Sequence, residues 1–98
     1  MALIRQYTVT VGASSVELLP EIQSRQILDL YLRNTSTAGQ VISLGIGTEA
    51  VSGSGIVMNA NDVAAFSRSD NYEVPLSRYT AISSAVGGTV SVYVRLED

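Results

Sequence analysis

The chain of 98 residues contains no cysteine, no histidine, no lysine and no tryptophan. Each absence removes a class of chemistry. Without cysteine these residues can hold neither a disulfide nor a thiolate metal site, so composition is silent about redox compartment. Without histidine the commonest general base and metal ligand is missing, and without lysine there is no Schiff-base amine and no P-loop cation. Serines are abundant, but a serine nucleophile would have no histidine or lysine base beside it. Two loop carboxylates meeting in space are the one acid/base arrangement that composition leaves open. Charge is scarce too: 15% of residues are charged, with a formal net charge of −3. The arginines (Arg5, Arg25, Arg33, Arg68, Arg78, Arg95) are scattered along the chain, so no nucleic-acid partner is expected. No apolar run approaches the roughly 20 residues that cross a bilayer, and "MALIRQYTVTV" lacks the apolar core and cleavage site of a signal peptide. The expectation is a soluble, non-enzymatic protein with no cofactor, no metal and no membrane partner.

What the sequence does contain is apolar material at period two. Apolar residues make up 46% of the chain, enough for one core in one domain spanning 1–98. "TVSVYVRLE" places Val90, Val92, Val94 and Leu96 on one side and Thr89, Ser91, Tyr93, Arg95 and Glu97 on the other. "ILDLYLR" sets Leu28, Leu30 and Leu32 inward against Asp29, Tyr31 and Arg33. "YTVTV" sets Tyr7, Val9 and Val11 against Thr8 and Thr10, and "VISLGI" sets Ile42, Leu44 and Ile46 against Val41, Ser43 and Gly45. Shorter strand candidates are "VELL", "GIVM", "VAAFS", "YEV" and "YTAIS", separated by clusters of turn-forming residues. The pattern predicts an all-β fold: an antiparallel β-sandwich, jelly-roll-like, of about eight short strands. At most one short helical turn is expected near 20–25, and residues 1–6 read as a flexible N-terminal arm able to dock on a neighbour.

"GIGTEA", residues 45–50, matches the dinucleotide-binding pattern G-x-G-x-x-G/A in its letters. That pattern needs a helix after the strand to present N–H groups to a pyrophosphate, and "TEAVSGSGIVMN" has no helical period. Gly45 and Gly47 are therefore read as relieving crowding at a strand end, and Gly53 and Gly55 as shaping a loop. "NANDV" and "RSDNYE" lack the spacing of a calcium loop and are read as turns. Asn34-Thr35-Ser36 fits the glycosylation sequon but is likewise read as a turn.

Function is thus sought on the surface. Tyr31 and Tyr93 face outward on strong strands, next to Arg33 and Arg95, and tyrosine and arginine are enriched at protein interfaces. With Ile4 and Arg5 of the N-terminal segment they form the set of candidate interface residues. The succession "TVTVGASSVELLP", "SRQILDLYLRNTS", "VISLGIGTEAVSGSGIVMNANDVAAF" and "RYTAISSAVGGTVSVYVRLE" resembles the small all-β virion proteins of tailed bacteriophages. That resemblance implies a capsid decoration or cement protein on the capsid exterior of the virion, made in the host cytoplasm. It implies self-association, with a homotrimer favoured, and bridging of subunits of the major capsid protein. A tail or fibre component and a carbohydrate-binding module are the alternatives, the latter having only tyrosines to offer as a sugar platform.

Overall fold

The computed structural model describes residues 3–19, 26–37, 39–69 and 78–97. Eight strands follow one another: β1 (Leu3–Val11), β2 (Val16–Glu17), β3 (Ile27–Asn34), β4 (Ile42–Ile46), β5 (Ile56–Met58), β6 (Val63–Ser67), β7 (Tyr79–Ser83) and β8 (Gly88–Leu96). They form two antiparallel sheets, β1-β8-β3-β6 and β2-β7-β4-β5. The partners β1 with β8, β2 with β7, β3 with β6 and β4 with β5 are those of one long hairpin whose tip is the β4–β5 turn. Rolling that hairpin up adds the pairs β3 with β8 and β4 with β7, which close each sheet. This is the jelly-roll order expected from the alternation.

Alternation decides what enters the space between the sheets. β8 runs strictly in and out, with Val90, Val92, Val94 and Leu96 buried. They meet Leu30 and Leu32 of β3, Ile42 and Leu44 of β4, Met58 of β5 and Tyr79 and Ala81 of β7. Burying each large side chain contributes about 1.5–3 kcal/mol relative to leaving it in water. Phe66 of β6 meets Tyr79 edge-on across the two sheets, with ring centroids 6.0 Å apart.

β3 departs from its expected phase at one residue. Ile27 stands opposite Leu96 and Asp29 opposite Arg95, so Leu28 is one residue too many for the ladder, a β-bulge. Ile27 fills the core position in its place, while Leu28 is half-buried. Residues 1–6 do not form an arm as a unit either: Leu3–Gln6 are the first half of β1, paired with Tyr93–Leu96 of β8. The unpaired backbone of β8 beside them is satisfied by this pairing. The helical turn expected near 20–25 and the strand expected at 72–74 fall outside the described residues.

The inward phase of β3 ends on a polar residue. Asn34 is wholly buried, and all three of its side-chain bonds are to the main chain. Its Nδ2 donates to Met58 O at 2.9 Å and Gln40 O at 3.1 Å, and its Oδ1 accepts from Ser36 N at 2.9 Å. Its own backbone pairs with the turn between β5 and β6: Asn34 N donates to Asp62 O, and Asn61 N donates to Asn34 O. A buried nitrogen with both protons spent is closed to a glycan, so the sequon is a structural turn, as read.

These packing assignments have measurable consequences. Leu30→Ala is expected to cost about 2–5 kcal/mol by opening a core cavity, against about 1 kcal/mol for Tyr31→Ala on the outer face. Asn34→Ala is expected to cost roughly 1–3 kcal/mol for each main-chain group it strands. Urea midpoints of the three variants check the order. Equal losses for Leu30 and Tyr31 would show the faces of β3 to be misassigned.

Candidate functional site

The two sheets differ in what covers their outer faces. On the first sheet the outward residues form cross-strand rows set by register: Ile4, Arg95, Asp29 and Ser67; then Gln6, Tyr93, Tyr31 and Ala65; then Thr8, Ser91, Arg33 and Val63. No described segment lies over them. Ile4 is 54% exposed, Tyr31 38% and Val63 56%. Tyr31 and Tyr93 are neighbours across β3 and β8, with ring centroids 5.6 Å apart and planes tilted by 46°. The Tyr31 hydroxyl lies 3.3 Å from Ser67 Oγ. Arg95 Nε donates to Asp29 Oδ2 at 2.6 Å, so that cation is neutralised in place. Arg33 reaches Asn61 Oδ1 at 3.4 Å.

The register therefore brings together five of the six candidate interface residues: Tyr31, Arg33, Tyr93, Arg95 and Ile4. Arg5 is on the opposite phase of β1, across from Val94, and does not join them. It stays exposed because β1 is an edge strand. Other contributors escaped the sequence reading, Ser67 beside the Tyr31 hydroxyl among them. Asp29 was assigned outward but not as the partner of Arg95, and Val63 and Ala65 of β6 are small residues in a strand whose alternation is shallow. Only the register reveals these neighbours.

The outer face of the second sheet is roofed by its own chain. Ser43 of β4 and Thr80 of β7 point away from the core, yet both are buried. After β4 the residues 47–55 fold back over them: Gly53 N donates to Ser43 Oγ at 2.9 Å, and the Thr80 hydroxyl lies 2.8 Å from Thr48 O. Within this roof Ala50 is itself buried, its N–H donating to Ser15 Oγ at 3.0 Å. A Cβ on Gly45 would sit 2.6 Å from Thr80 Oγ1 and 2.8 Å from Thr48 O. Gly55 has φ +75° and its missing Cβ would strike Leu44 O. The glycines thus let the loop lie flat on its sheet, which is the backbone role expected of them and leaves no phosphate cradle. In the 59–62 turn Asn59 N donates to the Asp62 carboxylate at 2.9 Å and Asp62 N to the main-chain oxygen of Asn59 at 3.0 Å, so the carboxylate of Asp62 closes a turn. The "RSDNYE" turn falls mostly outside the described residues.

At the rim of the roof Arg78 holds two carboxylates. Its Nε is 2.8 Å from Glu17 Oε1 on β2, and its Nη2 is 2.7 Å from Glu49 Oε1 on the loop. The hydrogen bond from Arg78 holds the Glu49 carboxyl below its ordinary value, helped by a bond with Ser15 and by the charge of the guanidinium. Arg78 is in turn held more firmly protonated by the two glutamates. A depressed carboxyl stabilises the fold above its unfolded value of 4.5, and that contribution is lost as pH falls through the lower folded value. Thermal unfolding below about pH 4.5 should therefore weaken less steeply for Glu49→Gln than for the parent chain. Parallel melting temperatures down to acid pH would refute the linkage. Gly45→Ala is expected to cost about 1–3 kcal/mol by lifting the roof, read from its urea midpoint.

No protein-family model matches this sequence. No curated protein matches it either. Among solved structures, a chain from Bacillus endospore appendages, described as a novel family of disulfide-linked pili, superposes with a TM-score of 0.61. The two are 18% identical, over 98% of this chain and 86% of that one. The likeness is one of fold. It corrects the expectation of a capsid decoration protein bridging major capsid protein subunits, since the structure matched across this chain was solved as part of a pilus. The tail or fibre component and the carbohydrate-binding module gain nothing from it.

Proposed function

We propose that this chain is a structural subunit, not an enzyme, that joins copies of itself edge to edge into an extended bacterial appendage. The observation that carries this reading is the outer edge of β6. Arg68 N donates to Leu28 O and Asn34 N to Asp62 O, which fixes 28 with 68 and 34 with 62 as hydrogen-bonded pairs of the β3–β6 ladder. By alternation Ala64 and Phe66 also bond to β3, and the N–H and C=O groups of Val63, Ala65 and Ser67 point away from the sheet. Folded proteins blunt such edges with charge, proline or a bulge. Val63–Ser67 has no charged residue and no proline, and its register with β3 is unbroken.

An edge of this kind accepts a strand from another copy by completing its hydrogen bonds. When the accepting and donating surfaces differ, the association is head-to-tail and grows without closing unless its rotation returns on itself. Tyr31 and Arg33, adjacent to β6 on the open face, line such a joint. The likeness to a chain from endospore pili supports the class of assembly. Unlike those disulfide-linked pili, these 98 residues offer no thiol, so they supply no disulfide between copies.

The purified chain is expected to form elongated particles as its concentration rises, seen by sedimentation and negative-stain microscopy. Ala65→Pro removes an outward N–H and leaves the β3 ladder whole, so it should stay folded and monomeric. Ala64→Pro removes a ladder bond and should unfold the sheet. Assembly of Ala65→Pro to the same extent as the parent, or a parent that stays monomeric at every concentration, would overturn the proposal.

A further inference from the structure

We infer that Tyr31 and Tyr93 form an oxidative cross-linking site, at which a haem peroxidase with hydrogen peroxide joins the two rings into a dityrosine staple between β3 and β8. The inference starts from what an oxidant could attack. Cysteine, tryptophan and histidine are absent from the 98 residues. Met58 and Tyr79 are buried, each about 2% exposed. Tyr7 lies on the inward phase of β1 and donates its hydroxyl to Leu18 O at 2.6 Å. Among the described residues the oxidisable side chains presented on the open face are Tyr31 and Tyr93.

They are also placed to react with each other. Their centroid separation of 5.6 Å and tilt of 46° belong to two rings in contact, already turned in the manner of a twisted biaryl. No described segment covers them, so rotation of the side chains can close the remaining gap. Two groups held side by side on adjacent strands react at a far higher effective concentration than groups on separate molecules in dilute solution.

The chemistry balances. Each phenol gives up one electron and one proton to the peroxidase, and the peroxide takes two of each and leaves as two molecules of water. The two phenoxyl radicals couple through the ring carbons ortho to oxygen. The hydrogens on those carbons then leave as protons while the phenolic oxygens regain theirs, which restores aromaticity. The net change is loss of two hydrogen atoms from the chain and gain of one carbon–carbon bond.

The test treats the full chain, dilute enough to be monomeric, with a haem peroxidase and hydrogen peroxide. The expected product is a monomer lighter by two hydrogen atoms, with dityrosine fluorescence, in which tryptic peptides 26–33 and 79–95 are joined. Tyr31→Phe and Tyr93→Phe should each reduce the in-chain product to background, whereas Tyr7→Phe, Tyr72→Phe and Tyr79→Phe should retain it. The stapled chain should unfold at higher urea than the untreated one, and treated Tyr93→Phe should show no such gain. A product that joins separate chains, that survives in Tyr31→Phe or Tyr93→Phe, or that fails to form while free N-acetyltyrosine couples in the same tube would overturn the inference. Because the reaction is read in the monomer, its outcome is independent of whether the chain assembles.

Discussion

The buried amide of Asn34 is the constraint on which the rest of the sandwich depends. A jelly roll must pass the chain from one sheet to the other several times, and each crossing carries main-chain groups through a region with no ladder to bond them. Asn34 stands at the end of β3, where the chain leaves the first sheet, and bonds to Met58 at the end of β5, where it leaves the second. Its remaining bonds hold Ser36 and Gln40 in the loop that leads to β4. One side chain thus fixes two crossings against each other. An apolar residue would fill the volume and leave these carbonyls unpaired, and an aspartate would accept but could not donate.

With the crossings fixed, the two outer faces receive different treatment. The second sheet is narrow in side chains where the loop returns: Ser43, Gly45 and Thr80 are small enough for residues 47–55 to lie upon them and polar enough to bond them. The first sheet keeps its ladder of Thr, Tyr and Arg uncovered. A chain of this size could have spread its loops over both faces, and it uses its longest glycine-rich stretch on one. The result is a domain with a finished side and an unfinished one.

Much of this was legible in the sequence, and the failures have physical causes. β8 reads cleanly because its valines alternate without interruption, and β3, β4 and β1 follow the same rule. Leu28 was misplaced because "ILDL" offers two apolar residues in succession, and only pairing with Leu96 and Arg95 decides that Ile27 takes the core. Ser43 looked exposed because a roof is a tertiary event with no period of its own. The first residues looked like an arm because Ile4 and Arg5 invert the alternation, an apolar residue outward and a charge on the inward phase, which an edge strand tolerates. Tyr31 and Tyr93 were each visible as outward residues, but their contact depends on a register that brings together positions 62 apart in sequence. What a jelly roll builds is not written in its alternation: strand-and-turn likeness pointed to capsid proteins, whereas the fold is shared with a chain from endospore pili.

The clamp of Glu17, Arg78 and Glu49 sits at the β2 edge of the second sheet, while the β6 edge of the first has no charge in its strand. One edge is therefore held by ions that respond to acid and to salt, whereas the other is neutral along Val63–Ser67 itself and carries its charges, Asp62 and Arg68, only at the ends of the strand. The molecule has a direction as well as two faces. A row of such units would be chemically distinct at its two ends.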